Sequence, residues 1–167
     1  AKDLWFPLIL KAANGGGGRG LRVVTQLSDI RDAFDACRRE SLACFGSDTI
    51  FCERYLQSPR HIEVQVFFDN HGNGCHFFER DCSIQRRHQK VVELASALNL
   101  DDALCQTLRS YALRIARHLG YSGLGTVEFL VDEDGQCYFL EVNPRVQVEH
   151  TVTEMITGID LIQASIL

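Results

Sequence analysis

The chain has 167 residues, 46% of them hydrophobic, which suits one compact domain or two small lobes with a sizeable core. A net charge of −5 argues against an overall nucleic-acid footprint, although local basic patches can still hold phosphates. No apolar run approaches the roughly 18 residues that span a bilayer, and no charged start, apolar segment and cleavage site follow one another, so a soluble globular chain without membrane contact is expected.

Phe6 to Lys11 reads as a short apolar strand ending on a lysine, followed by Gly15, Gly16, Gly17, Gly18, Arg19 and Gly20. Successive glycines let several backbone N–H groups turn toward an anion, and Lys11 and Arg19 supply charge at either end. The GxGxxG match at Gly15, Gly17 and Gly20 is weak, because Leu21 to Val24 looks like a second strand and not the opening of a helix; no Walker A sequence is present. Strand, glycine loop, strand is the pattern of a flap over phosphates. Ser28 is expected to cap a helix whose buried face carries Ile30, Ala33, Phe34, Cys37, Ser41 and Cys44 and which Gly46 terminates. Thr49 to Leu56 reads as a strand with Glu53 near its exit, completing a β-β-α-β lobe. Taken alone, Glu53 is an ordinary solvated acid.

Pro59 marks the passage to a second lobe. From Arg60 to Asp69, Ile62, Val64, Val66 and Phe68 alternate with His61, Glu63, Gln65 and Phe67, the period of a strand. Residues 71–74 form a turn, and the partner strand Cys75 to Arg80 leads into ERDCSIQRRHQKVVE. Basic residues interleaved with amides there, including Gln85, His88 and Lys90, suit polyanionic and planar ligand groups, although His88 alone reads as structural. Asp101 to Gly120 is an amphipathic helix through Leu104, Leu108, Tyr111, Ala112, Ile115 and Leu119.

Asp134-Gly135 is a two-residue turn signal, so Thr126–Glu133 and Gln136–Asn143 are expected to pair as a hairpin. Counting outward from that turn sets Glu128 opposite Glu141, with Asn143 on the same face. Opposed carboxylates among Phe129, Leu130, Phe139 and Leu140 call for a cation, and an all-oxygen set suits Mg²⁺ or Mn²⁺ better than zinc. The alternative is a solvated hairpin whose loop shifts the register by one. Arg145, Gln147, Glu149 and His150 follow at once. After Pro144 the chain leaves the sheet, and Gly158 to Leu167 starts a helix. The 7 cysteines include no CxxC pair; they are expected to be small buried hydrophobes in a reducing compartment, cytoplasm or mitochondrial matrix.

KAANGGGGRG, ERYL, PRHIEVQV, ERDCSIQRRHQKVVE, GTVEFLVD and EVNPRVQVEHTVTE, in this order, resemble the biotin carboxylase family of ATP-grasp enzymes, with RRHQKV and EHTVTE most like its pyruvate carboxylase branch. The resemblance covers nearly the whole chain. It implies an α+β, ATP-grasp fold of two lobes, each an antiparallel or mixed sheet packed against helices: a small lobe at 1–58 bearing the flap and a large lobe at 59–167. It also implies a larger enzyme, with an N-terminal lobe, a C-terminal lobe carrying another arginine, a biotin carrier domain and a carboxyltransferase domain outside these residues. Departures are Leu94-Ala95-Ser96, where the family has Ala-Pro, and Arg54 in place of lysine.

Residue by residue, the resemblance assigns Lys11 and Gly16, Gly17 and Gly18 to the ATP phosphates, and Glu53, Leu56, His61, Gln85 and His88 to the nucleotide pocket. Glu128, Glu141 and Asn143 match magnesium ligands. Lys90, Arg145, Gln147 and Val148 match the bicarbonate site, Glu149 matches the base that deprotonates bicarbonate, and Arg145 also matches the residue that stabilises the biotin enolate. The implied reaction is ATP- and bicarbonate-dependent carboxylation of biotin through carboxyphosphate, with no nucleic acid or membrane partner. A carbamoyl phosphate synthetase type of ligase and a non-catalytic nucleotide-binding module are the competing readings. The isolated 167 residues are expected to turn over weakly or not at all, and the final acceptor, whether pyruvate, an acyl-CoA or urea, is set elsewhere.

Overall fold

The apolar run Leu8–Ala12 (β1) is buried along almost its whole length, as a central strand must be when a partner lies on either edge. Leu21–Val24 (β2) and Ile50–Arg54 (β3) supply those edges, both antiparallel, in the order β2-β1-β3. The computed structural model of the chain describes residues 6–16 and 18–166, so Gly17 lies outside the described residues. The chain divides into two compact units, Ala1–Gln57 with Arg86–Gln89, and Ser58–Gln85 with Lys90–Leu167.

In the first unit the helix Ile30–Phe45 (α1) buries Cys37 against Leu8, Leu10 and Val24, with Phe6, Ile30, Ala33 and Ile50 around them. Its start differs from the expectation. A 3-10 turn, Leu27–Asp29, precedes it, and Asp29 takes the N-cap position with no side-chain cap bond. Ser28 is not the cap: its Oγ donates to Asp29 Oδ1 at 2.8 Å, and Gln26 Nε2 donates to the same carboxylate. Those donors occupy the oxygens that would otherwise accept from first-turn amides. Phe34 and Cys44 are exposed, while Ser41 is buried and donates to Ser47 O at 2.6 Å. A three-stranded sheet covers a narrow stripe, and Phe34 lies about 60° around the helix from Cys37.

The second unit is a five-stranded antiparallel sheet in the order β6-β5-β4-β7-β8. Its strands are Arg60–Phe68 (β4), Gly74–Arg86 (β5), Gln89–Ala95 (β6), Gly123–Val131 (β7) and Cys137–Asn143 (β8). The helix Asp102–His118 (α2) packs Leu108, Ala112 and Ala116 on Ile62, Val64, Val66 and Phe68 of β4 and Val127, Phe129 and Val131 of β7, the core of the unit. The period-2 pattern of β4 therefore points its apolar set at α2. The other set, Glu63 and Gln65, is also buried, which alternation alone does not reveal. Short helices His150–Thr157 (α3) and Leu161–Ile166 (α4) end the chain, and Thr153 of α3 bonds directly to that polar face.

Three expectations for this unit, and one for the cysteines of the whole chain, are corrected. The partner strand of β4 runs on to Arg86, and Gln89–Ala95 is a further strand where only a dense site was foreseen. The hairpin loop is longer than Asp134-Gly135: Asp132 N donates to Gln136 O at 3.0 Å, and Asp132 Oδ1 accepts from Asp134 N and Gln136 N. Gly158 closes α3, and the helix expected beyond it is α4; α3 itself was not foreseen, because Thr151, Val152 and Thr153 are β-branched. Finally, Cys44, Cys52 and Cys75 are exposed; Cys37, Cys82 and Cys105 are buried, and all 7 cysteines are free. Among the described residues no helix is long and apolar enough to cross a membrane.

Candidate functional site

In the first unit, Lys11 and Glu53 lie on neighbouring strands, where Ile9 pairs with Glu53 and Lys11 with Phe51, and their side chains form an ion pair. The glycine loop leaves β1 beside Lys11 and is pinned at its base, where Ala12 N donates to Gly20 O at 2.9 Å. Gly18 and Gly20 have φ of +75° and +69°, and a Cβ on Gly18 would stand 2.9 Å from the Cβ of His88. His88 and Arg87 form the tip of the β5–β6 hairpin with φ of 63° and 52°, left-handed values that cost a non-glycine residue about 1 kcal/mol or more. Leu56 is half-buried just past β3, and Gly16 is open, with nothing within 4 Å of where its Cβ would be.

In the second unit four residues stand side by side across the sheet: Arg80 on β5, Glu63 on β4, Glu128 on β7 and Glu141 on β8. The last pairing is the one expected, but it arises differently. Near the turn Val131 pairs with Cys137 and Phe129 with Phe139; a bulge between Glu128 and Phe129 in the ladder then restores Glu128 opposite Glu141. The five-residue loop shifts the register by one and the bulge shifts it back.

A row of three carboxylates demands cations. Arg80, fully buried, donates through Nε to Glu63 Oε1 at 2.6 Å and through Nη1 to Gln65 Oε1 and Thr153 Oγ1, both at 2.8 Å. Lys90 on β6 pairs with Glu63 Oε2 and donates to Glu128 Oε1 at 2.9 Å and Glu149 Oε1 at 2.7 Å. Gln85 Nε2 donates to His61 Nδ1 at 2.8 Å, leaving the His61 Nε2–H to donate to Glu128 Oε2 at 2.6 Å. Asn143 Nδ2 reaches Glu128 Oε1 at 2.8 Å, and Gln147 Nε2 reaches the same oxygen at 3.4 Å.

Burial alone would lower the Lys90 pKa, but the charges of Glu63 and Glu128 and the bonds to Glu149 and Glu63 outweigh it and hold the ammonium well above the ordinary lysine value. Burial alone would raise Glu128, yet His61 and Lys90 hold its carboxyl well below the usual range. Glu149 follows the same balance, with Lys90 overcoming burial to keep it depressed. The result is a site in which one ammonium serves three acids.

The donor chemistry fits a hard divalent ion. Glu128 is held ionised, Glu141 is exposed with Asn143 Nδ2 at 3.5 Å, and Asn143 carries an amide oxygen that a flip would present. Two tight groups of ligand-type atoms, His61–Glu63–Glu128 and Glu63–Cys82–Glu93, lie deeper in the same sheet. Among the described residues, Gln147 Oε1 is buried without a partner, an acceptor facing no donor.

The structure brings Lys90, Glu128, Asn143, Gln147, Glu149, His61 and Gln85 into one network. It does not bring Arg145 or Val148 into it. Arg145 Nη1 bonds its neighbour Val146 O at 3.1 Å, and Val148 is 88% exposed. Glu63 and Arg80 are the members of the row that sequence reasoning passed over. Glu63 lies between Ile62 and Val64, a sign of burial, but Arg80 lies between Glu79 and Asp81, and strand register alone brings the two together.

A glycine loop beside a paired lysine on a small sheet, and a carboxylate row on a larger antiparallel sheet, define an ATP-grasp fold. The chain belongs to the family described as "Carbamoyl-phosphate synthase L chain, ATP binding domain", which it matches over residues 1–167. It is 56% identical over 166 residues to pyruvate carboxylase 1 of Caenorhabditis elegans, covering 99% of this chain and 14% of that protein. It superposes with a TM-score of 0.97 on the biotin carboxylase–βγ-ATP complex of Campylobacter jejuni, at 50% identity, covering 99% of this chain and 37% of that one. The biotin carboxylase domain of Hydrogenobacter thermophilus 2-oxoglutarate carboxylase, in complex with MgADP, ADP and bicarbonate, matches at a TM-score of 0.95 and 44% identity, with coverages of 99% and 37%. The chain thus spans about one seventh of the length of the curated relatives it matches.

Proposed function

We propose that the chain is the ATP-grasp portion of a biotin-dependent carboxylase, a ligase that uses ATP and bicarbonate to carboxylate biotin on a carrier domain. The observation that carries this reading is Lys90 bonded at once to Glu63, Glu128 and Glu149, a cation poised among the groups that a bicarbonate, its base and a nucleotide metal would each need. Residues 1–58 form the small lobe and 59–167 the large lobe of a longer enzyme that adds further lobes and a carboxyltransferase domain. The reducing cytoplasm or mitochondrial matrix is its compartment. The family's printed description keeps a carbamoyl-phosphate-synthase type of ligase as a second reading; 51–56% identity to pyruvate carboxylases favours the first.

Lys11 and the amides of Gly16, Gly17 and Gly18 take the phosphates; Glu53, Leu56, His61, Gln85 and His88 take the rest of the nucleotide. Glu128, Glu141 and Asn143 would hold Mg²⁺ or Mn²⁺, which when bound offsets phosphate charge and polarises the phosphoryl oxygens. Lys90, Arg145, Gln147 and the backbone at Val148 take bicarbonate, with its hydroxyl turned to Glu149. In the resting site Lys90 depresses Glu149 and makes it a poor base. When bicarbonate draws the ammonium onto itself, Glu149 regains basicity at the moment it must accept the bicarbonate proton. The oxygen so freed attacks the γ-phosphorus, giving carboxyphosphate and ADP.

The test is Glu149→Gln in the full-length protein. It should keep MgATP binding and lose bicarbonate-dependent ATP cleavage by about 100-fold or more, the usual contribution of a general base. Equal loss of binding and cleavage would refute the assigned role.

A further inference from the structure

α2 presents its outer face to solvent with a cavity of about 340 Å³, lined by His76 and by Arg109, Ser110, Leu113, Arg114 and Arg117, among others. This lies on the opposite side of the sheet from the carboxylate row. Val64, which packs toward α2, pairs with Glu79, whereas Glu63 pairs with Arg80, so successive residues of β5 serve the two faces. Among the described residues no carboxylate lines the cavity. Arg109 is partnered by the buried Glu79 at 2.6 Å, but Arg114 and Arg117 have no acidic partner among the described residues.

Each of the three guanidinium groups lies over an aromatic ring: Arg109 on Phe78 at 5.1 Å, Arg114 on Tyr111 at 5.9 Å and Arg117 on Phe68 at 6.0 Å. Ring contacts order a guanidinium without neutralising it, so the forks are held ready and their charge stays available. A solvated arginine face has neither a cavity nor such anchoring. We propose that this cavity is a second anion site, separate from the nucleotide site, that takes the phosphate group of a small phosphorylated molecule. The volume falls in the range of small-ligand pockets, and paired arginine forks match phosphate oxygens two at a time. Leu113 gives the non-phosphate part of such a ligand an apolar wall. The inference does not rest on the carboxylase reading, since none of these residues takes part in it.

The test uses the full-length protein with its nucleotide site filled by a non-hydrolysable ATP analogue and Mg²⁺, and inorganic phosphate as the probe. Phosphorus NMR should show saturable broadening of the phosphate line. The double variant Arg114→Glu/Arg117→Glu should weaken that binding by at least about tenfold while leaving the analogue bound, and Arg114→Lys/Arg117→Lys should retain most of it. If the glutamate variant does not fold, Arg114→Gln/Arg117→Gln carries the same comparison. Unchanged broadening in the charge-removing variant, or none in the native protein, would overturn the proposal. So would binding of an acidic peptide that phosphate fails to displace, which would make the face a protein contact.

Discussion

Arg80→Met removes the charge that holds the buried side of the carboxylate row while keeping an apolar stem of similar reach. The native guanidinium is fully buried and donates to Glu63 at 2.6 Å, Gln65 and Thr153 at 2.8 Å, and Thr126 at 3.4 Å. Its loss leaves Glu63, itself inaccessible to water, with Lys90 as its one cation among the described residues. Breaking a buried ion pair from one side costs about 3–5 kcal/mol, and the neutral bonds to Gln65 and Thr153 add about 1 kcal/mol each, partly offset by the buried methionine. A net loss of about 3–5 kcal/mol is a large share of a total stability of about 5–15 kcal/mol. Equilibrium urea unfolding followed by circular dichroism measures it. Adding Glu63→Gln should recover part of the loss, because no uncompensated charge then remains, so the double variant falls short of the sum of the singles by about 1–3 kcal/mol. A cost below about 1 kcal/mol for Arg80→Met, or strict additivity, would refute the view that this arginine neutralises the row.

Glu93 has both carboxylate oxygens buried beside the Cys82 thiol, and burial raises its pKa, a shift that the thiol moderates without cancelling. A raised carboxyl penalises the folded state once pH climbs through the interval between the ordinary and the raised value. Glu93→Gln should therefore raise the melting temperature at pH 8 and lose that advantage near the ordinary carboxylate pKa of about 4; an advantage that grows as pH falls would reverse the sign and the argument. In the glycine loop, Gly20→Ala puts a Cβ 2.8 Å from that of Ala12 at a φ of +69°, and should cost about 1–2 kcal/mol in unfolding experiments and weaken nucleotide binding. Gly16→Ala, with nothing within 4 Å, should leave stability nearly unchanged.

Where local chemistry decided the structure, the sequence was readable. β1 to β3 and α1 follow from apolar period, the glycine loop and Gly46, and α2 from spacing of three and four. The opposition of Glu128 and Glu141 was legible for a reason only half right: the turn residues implied a two-residue loop, and a bulge that no local pattern announces restored the pairing. Tertiary burial stayed hidden. Alternation in β4 reads as one wet and one dry face, yet Glu63 and Gln65 are buried too, on the face where Thr153 of α3, a helix masked by its β-branched residues, accepts from Arg80. Ser28 shows a related limit, since Asp29 competed successfully for its hydroxyl. Glu63 and Arg80 could be seen in the sequence, but only strand register makes them partners.

The most direct test of the central claim is calorimetric titration of the full-length protein with ATP, with and without excess Mg²⁺, beside the Glu141→Gln variant. Glu141 offers the row's exposed carboxylate, and no other acid flanks it on β8. Magnesium-dependent ATP binding is expected, and the variant should weaken it by about tenfold or more through loss of a charged metal ligand. ATP binding of equal strength in both proteins, at every Mg²⁺ concentration, would contradict it.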